Sequence, residues 1–181
     1  MEEMEIPTEH LQEAIHEKAE EEKEKWVMWV ALSTAFMAVL AAIAGLMGGH
    51  HVNEALIDQI KASDQWAYYQ AKGIKREISA SADKILEAIP GSKVVPTAEL
   101  KEAVARYEKE KEEIKATAEE HQKASEEHLE KHVTLAKAVT IFQIAIAISA
   151  IAILTRKKPL WYGSIALTLA GAVFLLLGIL H

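Results

Sequence analysis

The sequence predicts an all-α protein: three transmembrane helices, with a long antiparallel helical hairpin (a coiled-coil stalk) inserted between the first and the second. Three uncharged apolar runs in a chain of only 181 residues predict the membrane helices, because about 20 apolar residues cross a ~30 Å hydrocarbon layer. The hairpin is predicted by apolar residues spaced alternately three and four apart in the charged middle of the chain.

The composition excludes several kinds of chemistry. The chain contains no Cys, which excludes disulfides, thiolate nucleophiles and Cys-ligated metal sites. Its formal net charge of −7, without a basic stripe, argues against nucleic acid as a partner. The sequence has no phosphate-binding loop, strand–turn–helix nucleophile or dinucleotide fingerprint. We therefore expect no enzymatic activity, no catalytic residue and no obligatory cofactor.

The membrane segments follow an acidic N-terminal segment, residues 1–25, whose apolar residues predict a short amphipathic helix. The predicted transmembrane helices are residues 26–49, 138–155 and 159–180, and the extramembrane hairpin is residues 50–137. The third helix carries a stripe of small residues that would let another helix approach closely. These small residues are Ser164, Thr168, Gly171 and Gly178.

Basic and aromatic residues mark the predicted membrane surface. Lys and Arg in short flanking segments favour the cytoplasmic side, which places the N-terminus and the turn before the third helix there and the hairpin on the opposite side. Trp and Tyr at the ends of the spans match an interfacial aromatic belt. The predicted interface residues are Trp26, Trp29, Arg156, Lys157, Lys158, Trp161 and Tyr162.

Heptad spacing in the middle of the chain predicts which residues join the two arms of the hairpin. Pro90-Gly91-Ser92 predicts the turn between the arms. The predicted seam of the first arm is Ile57, Ile60, Ala67, Ala71, Ile74, Ile78, Ser81, Ile85 and Ala88. The predicted seam of the second arm is Leu100, Val104, Tyr107, Lys111, Ile114, Ala118, His121, Ser125, His128, His132 and Leu135.

A second set of residues on the first arm lies beside this seam and predicts self-association. Large aromatic residues next to a glycine on a charged rod suggest a surface that meets another copy of the chain. The alternative is that Trp66 and Tyr69 fold over the second arm of their own hairpin. The candidate contact residues are Asp64, Gln65, Trp66, Tyr69, Gln70 and Gly73.

Three histidines on the second arm form a candidate metal site: His121, His128 and His132. The last two are four residues apart on one helix face, a spacing that can hold a divalent metal. Folding the chain about residue 93 would place Asp58 opposite His128. Three interpretations stay open: a metal site, a pH-sensitive seam in which protonated His pairs with acids, and ordinary polar layers. The His-Glu-x-x-His order of zinc proteases is absent.

The most distinctive stretch, Asp64-Gln65-Trp66-Ala67-Tyr68-Tyr69-Gln70-Ala71-Lys72, resembles the bacterial membrane proteins of the domain of unknown function 4337 family. The resemblance extends to Gly48-Gly49-His50 and to Thr155-Arg156-Lys157-Lys158, followed by Leu160-Trp161-Tyr162. It implies a bacterial inner-membrane protein with this hairpin layout and no assigned activity. In such a membrane, the orientation favoured by the basic residues places the hairpin in the periplasm.

These observations favour an integral inner-membrane protein whose partners are the lipid bilayer and further copies of itself. We expect a homo-oligomeric, membrane-anchored helical scaffold or interaction protein. The first alternative is an oligomeric channel or transport component with Gln143, Ser33 and Thr34 as polar lining. A further alternative is a metal- or pH-sensing stalk that uses the histidines.

Overall fold

The computed structural model describes residues 8–89 and 97–180, with side chains from residue 25 to 89 and from 98 to 180. These residues form three α-helices: α1, Thr8–Ala88; α2, Thr97–Thr155; and α3, Lys158–Leu180. No strand occurs within the described ranges. The turn predicted at Pro90-Gly91-Ser92 lies outside the described residues, as do the side chains of the predicted amphipathic segment.

The prolines explain why two of the helices are so long. Proline interrupts a helix because it lacks a backbone N–H donor and clashes with the preceding turn. All four prolines of the chain lie before, between or at the start of the helices, at Pro7, Pro90, Pro96 and Pro159. The 81 residues of α1 and the 59 residues of α2 therefore continue without a break.

The turn between α2 and α3 has a left-handed residue at the helix end. Arg156 adopts φ 52°. Its N–H donates to the carbonyl of Ile153, and the N–H of Lys157 donates to the carbonyl of Ala152, both at 3.2 Å. This pair of bonds is the Schellman motif, which satisfies the last carbonyls of a helix and lets α3 begin after a very short connection.

The chain divides into two units, of which unit 1 comprises residues 1–48 and 133–181. Each of the three helices contains a stretch long and apolar enough to cross a membrane. The core of unit 1 brings together Ala44 of α1, Leu135, Ala138 and Phe142 of α2, and Leu175 of α3. Large apolar side chains also cover the outside of the unit, among them Leu32, Phe36, Leu46, Leu154 and Leu176.

The glycines of α3 provide the close packing in unit 1. Gly171 and Gly178 are buried, as is Ser164. A Cβ atom at Gly178 would come within 2.7 Å of the Leu135 side chain, and one at Gly171 within 2.9 Å of the Phe142 ring. Real Cβ contacts are not this short, so the stripe of small residues is needed for α2 and α3 to approach as they do.

Unit 2 comprises residues 49–132, where α1 contacts α2. On α2, the predicted seam is correct for Ile114, Ala118 and Ser125, which are buried. On α1, the residues buried in unit 2 are Ala55, Asp58 and Ala62, which form a different face from the predicted one.

The predicted seam of the first arm is therefore wrong. Its five isoleucines are exposed, with relative accessibilities of 44% for Ile57, 62% for Ile60, 62% for Ile74, 64% for Ile78 and 61% for Ile85. Ala67, Ala71, Ser81 and Ala88 are exposed as well. The physical reason is that α2 presents polar groups along its seam, and α1 meets them with its small and polar face.

Candidate functional site

The candidate site is the polar seam of unit 2, which contains the contacts between α1 and α2 from His51 to Arg76. Its α1 residues are spaced so that they share one face of the helix: Ala55, Asp58, Ala62, Tyr69 and Arg76. Their partners on α2 run from His128 back to Glu108. The site can be described as a series of layers, each with one or two polar contacts.

The first layer is a pair of histidines. The Nδ1 atoms of His51 and His128 are 3.0 Å apart, and the two ring centroids are 5.3 Å apart. A hydrogen bond between two such atoms needs one donor and one acceptor, so at least one of the rings is neutral. Burial lowers the pKa of His51, and the positive charge that His128, Lys131 and His50 can carry lowers it further. Glu54 opposes this effect.

The next layers centre on Ser125 and Asp58. The Ser125 hydroxyl donates to the carbonyl of Ala55 at 2.8 Å, in a buried position. Asp58 accepts from Lys61 at 3.2 Å and contacts the His121 Nδ1 at 3.1 Å. Burial opposes the ionisation of Asp58, but the hydrogen bonds and charges of Lys61 and His121 outweigh it, so the pKa of Asp58 is lowered.

The pairing of these layers corrects the predicted register. The sequence placed Asp58 opposite His128, whereas its partner is His121, seven residues earlier on α2. A shift of one heptad leaves every seam residue on the seam and changes only the layer that it meets. Heptad spacing therefore identifies the face of α2 but not the layer, and the assumption of a symmetric fold about residue 93 was wrong.

The remaining layers combine aromatic rings with ion pairs. Lys111 lies 4.9 Å from the centre of the Tyr69 ring, and Lys72 forms an ion pair with Glu110 at 2.5 Å. The hydrogen bond to Glu110 raises the pKa of Lys72, and the same bond lowers the pKa of Glu110. Arg76 contacts Glu108 at 2.6 Å. A separate contact between α1 and α2 joins Lys101 to Glu87 at 2.7 Å.

The three histidines of the predicted metal site do not converge. His121 faces Asp58, His128 faces His51, and His132 has a contact of its own. Within the described residues, no group of three or more His, Asp or Glu side chains could hold a metal ion. His51 and His128 supply two imidazoles at one place, and the metal site stays a prediction that these contacts do not favour.

The predicted self-association residues are divided between two environments. Trp66 packs edge-on against Tyr69 with 5.6 Å between ring centroids, and Tyr69 contacts Lys111 of α2. A Cβ at Gly73 would lie 3.8 Å from Lys111. These contacts favour the alternative in which Trp66 and Tyr69 fold over the second arm. Asp64 and Gln70 are exposed, and Gln65 is half-buried.

The predicted interface residues of unit 1 lie on α1, in the turn between α2 and α3, and at the start of α3. Arg156, Lys157, Lys158, Trp29 and Tyr162 are exposed, whereas Trp26 and Trp161 are half-buried.

The polar residues considered as a channel lining are largely engaged within unit 1. The Trp161 indole N–H donates to the Ser33 hydroxyl at 3.1 Å, and the Thr34 and Ser149 hydroxyls are hydrogen bonded at 2.6 Å. Gln143 is exposed on the surface of the unit.

The sequence matches the family described as Domain of unknown function (DUF4337) over residues 26–181, which is nearly the whole chain. The chain belongs to the DUF4337 family. No curated protein and no solved structure matches it. The matched range includes all the layers of the polar seam, so the seam is part of the DUF4337 domain.

The sequence prediction missed His51 as a seam residue of this DUF4337 domain. The signal was available, because His51, Asp58 and Gln65 recur every seven residues and therefore share a face of α1. A search for periodic apolar residues does not detect this heptad spacing, since none of the three residues is apolar.

Proposed function

We propose that this DUF4337 chain is an integral membrane protein that works as a homo-oligomeric scaffold or interaction component. Unit 1 would anchor it in the bilayer. Unit 2 would form an antiparallel helical hairpin outside the bilayer, on the periplasmic side of a bacterial inner membrane, with the N-terminus in the cytoplasm. We also propose that it catalyses no reaction.

The observation that carries the membrane anchor is the surface of unit 1. Leu46 is 77% exposed and Leu154 83% exposed, whereas small polar residues such as Ser149 and Ser164 are completely buried. A water-soluble unit would bury its leucines, because burial of one such side chain contributes about 1.5–3 kcal/mol. In lipid, exposed leucine side chains carry no free-energy penalty, since hydrocarbon tails are as apolar as leucine.

The antiparallel hairpin is supported by the order of the contacts in unit 2. As the contacts advance along α1 from His51 through Asp58 and Lys72 to Glu87, their partners on α2 run backwards. These partners are His128, His121, Glu110 and Lys101. A hairpin with Ala55, Ala62 and Ala118 at its centre buries little apolar area, which favours further association.

Oligomerisation is supported by Gln143, which lies within the predicted second membrane span yet is exposed on unit 1. An amide that faces hydrocarbon without a partner is costly, and interhelical hydrogen bonds between membrane helices satisfy such groups. A second copy of the chain can supply that bond. The channel alternative has less support, because Ser33 and Thr34 already have partners within the unit.

The test is the particle mass of the full chain in a mild detergent, measured by light scattering with correction for bound detergent. We expect a multiple of the 20.0 kDa chain mass, and a monomer would overturn the proposal. Replacing Gln143 by Leu should weaken association. Thr140→Val is the matched control, because Thr140 is also exposed but its hydroxyl donates to the carbonyl of Ala136 at 2.9 Å.

A further inference from the structure

The isoleucines of α1 in unit 2 form an unpartnered stripe. We use the name isoleucine stripe for Ile57, Ile60, Ile74, Ile78 and Ile85, which are each between 44% and 64% exposed. The residues of α1 that contact α2, such as Asp58 and Tyr69, lie on another face of the helix. The stripe therefore does not contribute to the contact between α1 and α2.

The spacing of the stripe is that of a coiled coil. Together with Asp64, Ala67, Ala71, Ser81 and Ala88, its residues alternate in steps of three and four from Ile57 to Ala88. This spacing repeats every 3.5 residues over more than four heptads, and a sustained repeat of this length is typical of a helix that packs along another helix. At 1.5 Å per residue the repeat from Ile57 to Ala88 is about 48 Å long.

The surface along the stripe has the groove and the alternating small and large side chains that helix packing requires. An open groove follows the second half of the stripe, lined in part by Gly73, Ile74, Ile78, Ser81, Ala82 and Ile85. Small residues alternate there with isoleucines, so that a side chain from a partner helix can enter between them. Packing of this kind, with a side chain in a hole formed by four residues, holds coiled coils together.

The partner must be a helix with the same repeat. The exposed face of α2 cannot provide it within the described chain, because that face is charged, with Glu112, Glu119, Glu126 and Lys123 exposed. The stripe of a second copy provides the same repeat over the same length. In a parallel pair the flanking positions match without like charges, since Gln70 would meet Lys75, and Glu77 would meet Ala82.

We propose that the isoleucine stripe of α1 is the surface along which two copies of this chain associate, in parallel and in register. This inference rests on the proposed oligomer and names its contact surface outside the anchor. Asp64 is the charged residue in the repeat to which the stripe belongs, and two copies of it would face each other. A polar residue at such a position costs stability and fixes the register.

The test compares two double variants of the full chain in detergent. Ile74→Lys with Ile78→Lys places charges on the stripe, whereas Ala105→Lys with Ala116→Lys places the same charges on the exposed face of α2. We expect at least a tenfold weaker association for the stripe variant and no change for the control. Helix content, measured by circular dichroism, should be equal in both, which shows that the stripe variant folds.

Cysteine cross-linking gives a second readout, because the chain contains no Cys. In membranes under mild oxidation, Ile78→Cys should form a disulfide-linked product of twice the 20.0 kDa chain mass, and Lys109→Cys should not. If the wild type is an oligomer and the stripe variant associates equally well, the stripe is not the contact surface, but the proposed oligomer stands. A monomeric wild type would overturn both, and cross-linking only to a different protein would overturn the second copy as the occupant.

Discussion

Units 1 and 2 both expose large apolar side chains, but they do so in different patterns. In unit 1, exposed apolar residues occur on all three helices, among them Phe36, Ile144 and Leu176. In unit 2, the isoleucines lie in one stripe on one helix, and most other exposed residues are charged or polar. An apolar surface on every side indicates a lipid environment, whereas a single heptad stripe indicates one helical partner.

The interiors of the two units also differ, in the size and polarity of the side chains that they bury. Unit 1 is closed by large apolar side chains, with Phe142 and Leu135 packed against the glycines of α3, and it also buries Ser149 and Ser164. Unit 2 is closed by alanines and by the polar layers around Asp58 and Ser125. We therefore expect unit 1 to be sensitive to added volume and unit 2 to be sensitive to lost hydrogen bonds and to pH.

The largest effect is expected from volume added to unit 1. Gly178→Ala should destabilise the protein by about 1–3 kcal/mol, because overpacking a tight contact costs that amount and the new Cβ would lie 2.7 Å from Leu135. The measurement is thermal unfolding in detergent, followed by circular dichroism. Gly163→Ala is the matched control on the same helix, since a Cβ there would have open space around it. Equal melting temperatures for the two variants would contradict the packing of α3.

A smaller effect is expected from a lost hydrogen bond in unit 2. Ser125→Ala should cost about 0.5–1.5 kcal/mol, the net contribution of a typical buried hydrogen bond, since it removes the bond to the carbonyl of Ala55. The same unfolding experiment measures it. Ser63→Ala makes the same change at an exposed position of unit 2 and should be close to neutral. A cost at Ser63 as large as that at Ser125 would show that this polar layer has no special role.

The smallest effect is expected from pH. Because the pKa of His51 in the folded protein is lowered from 6.5, the unfolded chain takes up a proton first as the pH falls. Stability from this group is complete above about pH 6.5 and decreases below it, until the pH passes the lowered pKa.

Unfolding measured between pH 7.5 and 5.5 should therefore show a loss of stability that His51→Gln reduces. His50→Gln, at an exposed position, should reduce this loss of stability less. It leaves His51 in place, and His50 lowers the pKa of His51 less than burial, His128 and Lys131 do. A steeper loss of stability in His51→Gln than in the wild type would contradict the lowered pKa of His51.

Much of the fold could be predicted from the sequence, because apolar runs and prolines act locally. The three membrane segments lie within the helices that are apolar enough to span a membrane. On α2, the predicted seam residues Ile114, Ala118 and Ser125 are buried, because apolar and small polar residues there share one repeat.

The candidate site could be predicted only in part. A search for apolar periodicity selects the isoleucines of α1, yet the face that α2 contacts is the one with Asp58 and Tyr69. The choice between two faces of one helix depends on the chemistry of the partner helix, which periodicity does not contain. Periodicity does not decide the layer in which each residue lies, because a repeat of seven residues is satisfied equally well one heptad away.

The most direct test of the membrane account is labelling of single cysteines in open membrane fragments with a membrane-impermeant maleimide. Leu46 and Leu176 in unit 1 and Glu119 in unit 2 are all exposed, so a water-soluble protein would be labelled at each. We predict rapid labelling of Glu119→Cys, and labelling of Leu46→Cys and Leu176→Cys only after the membrane is dissolved in SDS. Equal labelling rates at the three positions in intact membrane fragments would contradict the account.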